Sequence, residues 1–360
     1  MTVFFRRFSR VCVQIAVLVL AMLWDGQAFA RVQVHVWSAT DTSAVEPFIK
    51  VFETKYPDID VVYREFNTSE LYQVVMYNID NPKMEADVII SPAMDLQVKL
   101  VNEGLAYRFE PENVDAIPSW AQWRNELYGF SFEPAALVYN KQAFEGLESP
   151  VSHTDLSNMV RDNPELFSGK IGTYDIRQSG IGYFFATQDA IQNNQTSRLT
   201  ETFGRAGAKL FCCSSEILDR VATGELVLGY NVIGSYAMAA ARENPDIGVY
   251  FLRDYTITMS RTAFVPKTSR AKYQAQLFID FLLSREGQQV LASNSALIPI
   301  NQNVETVLTP HLEDIPVFRV KLGIGLLGFQ DELKKKSFLE DWESSILWSG
   351  GTANPSSQSD

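Results

Sequence analysis

Cysteine and histidine are scarce in this 360-residue sequence, with three of each. Cys12 falls in an N-terminal apolar stretch, which leaves the neighbours Cys212 and Cys213 and no disulfide framework. Adjacent α-carbons lie about 3.8 Å apart, closer than an ordinary disulfide prefers. The expectation is therefore two thiols at a strand end, with a vicinal disulfide or a metal-reactive pair as the alternatives. His35, His153 and His311 are widely separated, and there is no H-E-x-x-H pair, no G-x-S-x-G elbow and no Walker loop. Enzymatic chemistry, a cofactor and a resident metal are accordingly not expected. Positive charge is also short: 31 Lys and Arg stand against 43 Asp and Glu, a net charge of −12, which argues against nucleic acid as a partner. A membrane span needs roughly 20 apolar residues, and no run after Trp24 reaches that length.

What is present begins with an export signal. Arg6, Arg7 and Arg10 form a basic region, Val11 to Trp24 is apolar, and Ala28-Phe29-Ala30 supplies the small residues of a cleavage site after Ala30. The apolar part is short for a membrane span, so the expected mature protein is exported, soluble and periplasmic. Removing residues 1–30 leaves 330 residues, more than one hydrophobic core usually serves.

Strand and helix patterns then alternate, which predicts an α/β fold. Val32–Trp37 reads as a strand, and Val45, Phe48, Ile49, Phe52 and Tyr56 recur at helical spacing until Pro57. Ala86–Ser91 is a continuous apolar run of the kind that parallel sheets bury. Glu126–Lys141 and Tyr255–Pro266 read as strands that cross between two lobes. The expected organisation is a signal peptide over 1–30, a first lobe over 31–132 and 258–310, and a second over 133–257. A C-terminal helical segment over 311–349 and a disordered tail over 350–360 complete it.

The segments "VWSATDTSAVEPFIKVFETKYPDIDV", "ADVIISPAMDLQVKLVNEGL", "LYGFSFEPAALVYNK", "SGKIGTYDIRQSGIGYFFATQ", "GELVLGYNVIGSYA" and "RTAFVPKTSRAKYQAQLFIDFLLSREGQQVLA" occur in that order. Together they resemble the periplasmic solute-binding proteins of ABC importers, in the type 2 cluster that holds ferric-iron, phosphonate and sugar-phosphate receptors. The resemblance covers roughly residues 32 to 300. It implies a two-lobe type 2 fold with an interlobe cleft and two crossover strands, closing on a solute that is presented to an inner-membrane permease or, in some relatives, to a sensor kinase. A monomer is expected.

Candidate ligand contacts sit where strands feed helices or cross between lobes. Ser38, Ala39, Thr40, Asp41 and Thr42 precede a helix whose unpaired N–H groups suit an anion, although Ser43 and Glu46 could equally form a capping box. Ser91, Pro92 and Ala93 follow the buried strand and read either as a second cradle or as a Pro-directed turn. Arg177, Gln178, Ser179 and Gly180 set a guanidinium beside a helix start; the bland alternative is Arg177 paired with Asp175. Tyr230 and Asn231 lie in "GYNVIGSYA", ahead of Ser235 and Tyr236. Glu133 and Arg261 fall at the crossings, where they could line the cleft or merely build the hinge.

In ferric-binding relatives adjacent tyrosines hold the metal. This sequence has no adjacent tyrosine pair, and His35 lies inside a strand, so iron is the alternative cargo. The motif Gly323-Ile324-Gly325-Leu326-Leu327-Gly328 matches G-x-G-x-x-G, but only one helix and a tail follow, too little for a dinucleotide unit. The expected function is hinge-closing capture of a small phosphorylated or carboxylated organic solute for an ABC permease. The alternatives are a ferric-iron receptor and a solute sensor for a histidine kinase.

Overall fold

The computed structural model describes residues 31–78, 81, 84–301, 303–304 and 316–347. The export signal, His311 and the tail beyond 350 lie outside those residues. In chain order the elements are β1 (Val32–Ser38), α1 (Thr42–Lys55), β2 (Ile59–Glu65), α2 (Thr68–Tyr77), β3 (Val88–Ser91) and α3 (Met94–Asn102). The short strands β4 (Gln122–Trp123) and β5 (Leu127–Gly129) lead into β6 (Glu133–Asn140). There follow α4 (His153–Asp162), α5 (Pro164–Phe167), β7 (Ile171–Tyr174), α6 (Gly180–Gln192), α7 (Thr196–Arg205), β8 (Lys209–Phe211), α8 (Ser214–Ala222), β9 (Leu228–Ile233) and α9 (Gly234–Glu243). Strands β10 (Ile247–Tyr250), β11 (Thr256–Met259) and β12 (Thr262–Phe264) precede α10 (Lys272–Leu283) and α11 (Arg285–Asn294). Strand β13 (Val317–Arg319), a 3-10 turn (Ile324–Phe329) and α12 (Glu332–Ile346) close the described chain.

These elements form two sheets. The first runs β2-β1-β3-β12-β5-β4, parallel from β2 to β3 and antiparallel from β12 onward. Its core forms because Val34 and Val36 of β1 meet the apolar stripe of α1, and Phe48 and Phe52 in turn meet Phe278 and Phe281 of α10. Each such buried side chain contributes about 1.5–3 kcal/mol relative to exposure. Strand β3 is buried along its whole length, as its apolar Val88–Ile90 stretch predicts.

The second sheet runs β13-β11-β6-β9-β7-β8, with β10 also paired to β6. The chain enters it at Glu133 and leaves after Met259, so Thr258 and Met259 belong to the second sheet and the return crossing is at Ser260-Arg261. The two crossings lie side by side. Phe130 N–H donates to the Arg261 carbonyl at 3.0 Å, and Arg261 N–H donates to the Ser131 hydroxyl at 3.0 Å.

The C-terminal part is not purely helical. Strand β13 pairs in parallel with β11, the glycine-rich stretch becomes the 3-10 turn, and α12 buries Trp342 and Ile346 in the second lobe's core. The turn is followed by α12, and no strand follows it among the described residues. Cys212 and Cys213, expected as thiols, are joined as a disulfide, the alternative that the sequence also allowed.

Candidate functional site

Helix α1 begins at Thr42 without a side-chain cap; the Ser43–Glu46 box does not form. Instead the Thr42 N–H and hydroxyl both donate to Glu65 at 2.7 Å, and Asp41 N–H donates to the Tyr236 hydroxyl at 3.2 Å. The last bond runs from the first lobe to the start of α9 in the second. Just before it, the Ser38 hydroxyl accepts from Thr40 N–H at 3.1 Å, and Ala39 N–H donates to the Ile90 carbonyl. The loop is therefore tied to β2, to β3 and to α9 by hydrogen bonds.

Arg261 meets the same loop. Its Nε donates to Glu133 Oε1 at 3.0 Å, its Nη1 donates to the Thr40 hydroxyl at 3.0 Å, and its guanidinium lies 4.7 Å from the centre of the Tyr236 ring. Arg261 is 1% exposed, and Glu133 and Ser235 are 0% exposed. Within this cluster three buried atoms have no partner among the described residues: Arg261 Nη2, Glu133 Oε2 and Ser235 Oγ. Buried polar atoms are rarely left so, since each costs about 1–3 kcal/mol. The unpartnered donor and acceptor of the Arg261–Glu133 pair, at the junction of two lobes, are what a polar ligand would complete.

The electrostatics follow from burial. Burial raises the Asp41 carboxyl above its ordinary pKa, Arg261 opposes this, and Glu65 adds to it. Burial works against the charged Arg261, but Tyr236, Glu133 and Asp41 outweigh it and hold the guanidinium firmly protonated. Burial pushes the Tyr236 phenol up to about 12, against the pull of Arg261.

Four sequence-derived candidates thus meet: Thr40, Asp41, Glu133 and Arg261, with Ser38, Ala39 and Thr42 framing them. Ser91, Pro92 and Ala93 form a buried turn in which the Ser91 hydroxyl accepts from Ala93 N–H at 3.2 Å, so that hydroxyl serves its own turn. Ser179 likewise caps its helix through Gly182 N–H at 3.2 Å. Gly180 sits at the lobe seam, where a Cβ would lie 2.8 Å from Leu96 Cδ1 and 3.0 Å from Thr68 Oγ1.

Two of the candidate groups hold partners within the protein. The Arg177 guanidinium is gripped by Asp175 through Nε at 2.7 Å and Nη2 at 2.6 Å, and reaches Glu343 at 3.3 Å, with Gln178 also donating to Asp175 at 3.4 Å. The acid two residues upstream captures it. Tyr230 and Asn231 turn inward: both donate to Asp189 of α6, at 2.8 and 2.6 Å, and Tyr255 donates to the same carboxylate at 3.0 Å. Asn231 achieves this in a left-handed conformation, φ 58°. Tyr236, a few residues on, is the member of that segment that reaches the seam, and Ser235 beside it is fully buried. Their signal was the helix start itself.

Among the described residues, the His, Cys, Asp and Glu side chains close enough to share an ion in a group of three are Cys212, Cys213 and Glu216, and two of these are joined. No described helix is long and apolar enough to cross a membrane.

The family described as bacterial extracellular solute-binding protein matches residues 48–316. The chain belongs to that family. Among solved structures it is similar to the substrate-binding protein of an ABC transporter from Agrobacterium tumefaciens, at 34% identity and a TM-score of 0.83, covering 89% of this chain and 96% of that one. The fold is shared by the periplasmic binding protein AfuA of Actinobacillus pleuropneumoniae, solved with fructose-6-phosphate (18% identity, TM-score 0.73, covering 87% and 98%). It is shared too by iron-bound HitA of Pseudomonas aeruginosa (20% identity, TM-score 0.69, covering 87% and 99%). No curated protein matches the sequence. The two-lobe α/β architecture of type 2 solute-binding proteins is therefore the fold of this extracellular solute-binding protein.

Proposed function

We propose that this solute-binding protein is the periplasmic component of an ABC importer, capturing a small organic acid, phosphorylated or carboxylated, between its lobes. Lobe 1 is residues 31–132 and 260 onward to the end of α11, and lobe 2 is 133–259. Closure about the paired crossings brings Thr40 and Asp41 against Ser235 and Tyr236, with Arg261 between them. The observation that carries the reading is the buried Arg261 Nη2 without a partner, a charged donor at the junction of both lobes. The similarity to an ABC-transporter substrate-binding protein at 34% identity supports the importer.

Ferric iron is favoured by one feature, the two phenols of Tyr63 and Tyr236 beside Thr40 and Asp41. A fixed guanidinium in their midst opposes a trivalent cation. The test is the melting temperature of the exported protein against sugar phosphates, di- and tricarboxylates, and Fe(III) with and without citrate. A ligand at about 100 times its dissociation constant adds roughly 2.7 kcal/mol, read as several degrees. A shift with an organic acid is expected; a shift with Fe(III) alone rejects the anion site.

A further inference from the structure

The interlobe site is short of positive charge. Arg261 is a cation that acts on Asp41, Tyr63 and Tyr236; the carboxylates of Glu133 and Asp41 act on it in turn, and Glu65 adds negative charge beside Asp41 and Tyr63. Of the three unpartnered buried atoms, Arg261 Nη2 can only donate, Glu133 Oε2 can only accept while ionised, and Ser235 Oγ can do either. A bare oxyanion offers acceptors alone. It would satisfy Arg261 and Ser235 but leave Glu133 Oε2 unpaired against a like charge, at a cost that a buried site does not screen.

Resting on the anion-site reading above, we propose that the solute is an acid bearing a hydrogen-bond donor, an ammonium or a hydroxyl, on the short chain beside its acidic group. The acidic group meets Arg261 Nη2 and Ser235 Oγ. The donor meets Glu133 Oε2. Glu133 is then a specificity residue: it holds Arg261 through Oε1 and reads the donor through Oε2. An ammonium also offsets the surplus of carboxylates, whereas a hydroxyl supplies the hydrogen bond alone.

The experiment measures binding to the native protein by calorimetry and melting temperature for two matched series. One is succinate, malate and aspartate; the other is ethyl phosphate, ethylene glycol monophosphate and ethanolamine phosphate. At least tenfold tighter binding of a donor-bearing member over its unsubstituted parent is expected, and the better arm identifies the donor. A parent that binds as tightly as its derivatives overturns this inference and leaves the anion site standing. No binding by any of the six overturns both. Glu133→Gln adds a second readout, because the amide keeps an acceptor but loses the charge: the ammonium series should lose at least tenfold relative to the hydroxyl series. Equal losses for both, in a variant whose ligand-free melting temperature is unchanged, would remove Glu133 from donor recognition.

Discussion

Arg261 donates from Nη1 to the hydroxyl of Thr40 at 3.0 Å, so the return crossing is bonded to the loop that follows the first strand. The same guanidinium bonds Glu133 at the entry crossing. One side chain therefore ties the hinge to the loop at the start of α1, and any group that binds Nη2 is sensed by both.

The first prediction contrasts two arginines. Arg261→Lys keeps the charge that Glu133 needs but loses the planar fork, so the contact made by Nη2 is lost. A charge-assisted hydrogen bond of this kind is worth about 1.5–3 kcal/mol, or roughly ten- to 150-fold in affinity. Arg177→Ala should change affinity less than twofold, because its side chain is 35% exposed and serves Asp175 and Glu343 at the surface, where such pairs contribute about 0–1 kcal/mol. Calorimetry with the solute found by the ligand panel measures both. A large loss from Arg177→Ala would move the site to the start of α6.

The contrast shows what local pattern could reveal. Alternating periods disclosed the α/β class, and the apolar stretch Val88–Ile90 disclosed a buried strand. Successive strand-like stretches disclosed both crossings, and with them Glu133 and Arg261. For Arg177 the sequence leaves two readings open, because a guanidinium beside a helix start looks the same whether it faces a ligand or Asp175, the partner it holds here. The bonds of Tyr230 and Asn231 to Asp189 are not legible in sequence, because Asp189 lies mid-helix some forty residues away and carries no local signal. The parallel pairing of β13 with β11 is likewise a long-range match that no window of sequence displays.

The second prediction concerns that inward cluster. Tyr230→Phe removes one of three donors to a fully buried carboxylate, and burial already raises the Asp189 pKa despite His153 and those donors. Stability should fall by about 1–2 kcal/mol while solute affinity stays within twofold. Chemical denaturation and calorimetry separate the two effects. Loss of affinity without loss of stability would put Tyr230 in the ligand site after all.

The third prediction probes closure. Ile181 N–H, in the first turn of α6, donates to the Thr68 hydroxyl across the seam at 3.1 Å. Thr68→Val keeps the shape and removes the acceptor, so a buried N–H is stranded in the closed form alone. That penalty of about 1–2 kcal/mol shifts the balance toward the open form and should weaken binding roughly five- to thirtyfold. The ligand-free melting temperature should barely move, and small-angle scattering with ligand should show a larger radius. Unchanged affinity would mean that this seam is present in both forms.

The fourth prediction is a pH dependence. Asp95, in the first turn of α3, is fully buried, and burial pushes its carboxyl up to about 6 from 3.8, although Leu96 N–H, Gln330 and Lys335 pull it down. Between those two values the folded protein holds a proton that the unfolded chain has released, so stability falls as pH rises from about 4 through 6 and then levels off. Asp95→Asn does not titrate, and its side chain can still bond Leu96 N–H and a rotated Gln330 amide. Relative to the variant, the native protein should therefore lose roughly 2–3 kcal/mol between pH 4 and pH 7. Urea unfolding of both proteins across that range measures the difference. Parallel stability curves would show that Asp95 stays ionised in the fold, with Lys335 compensating its burial.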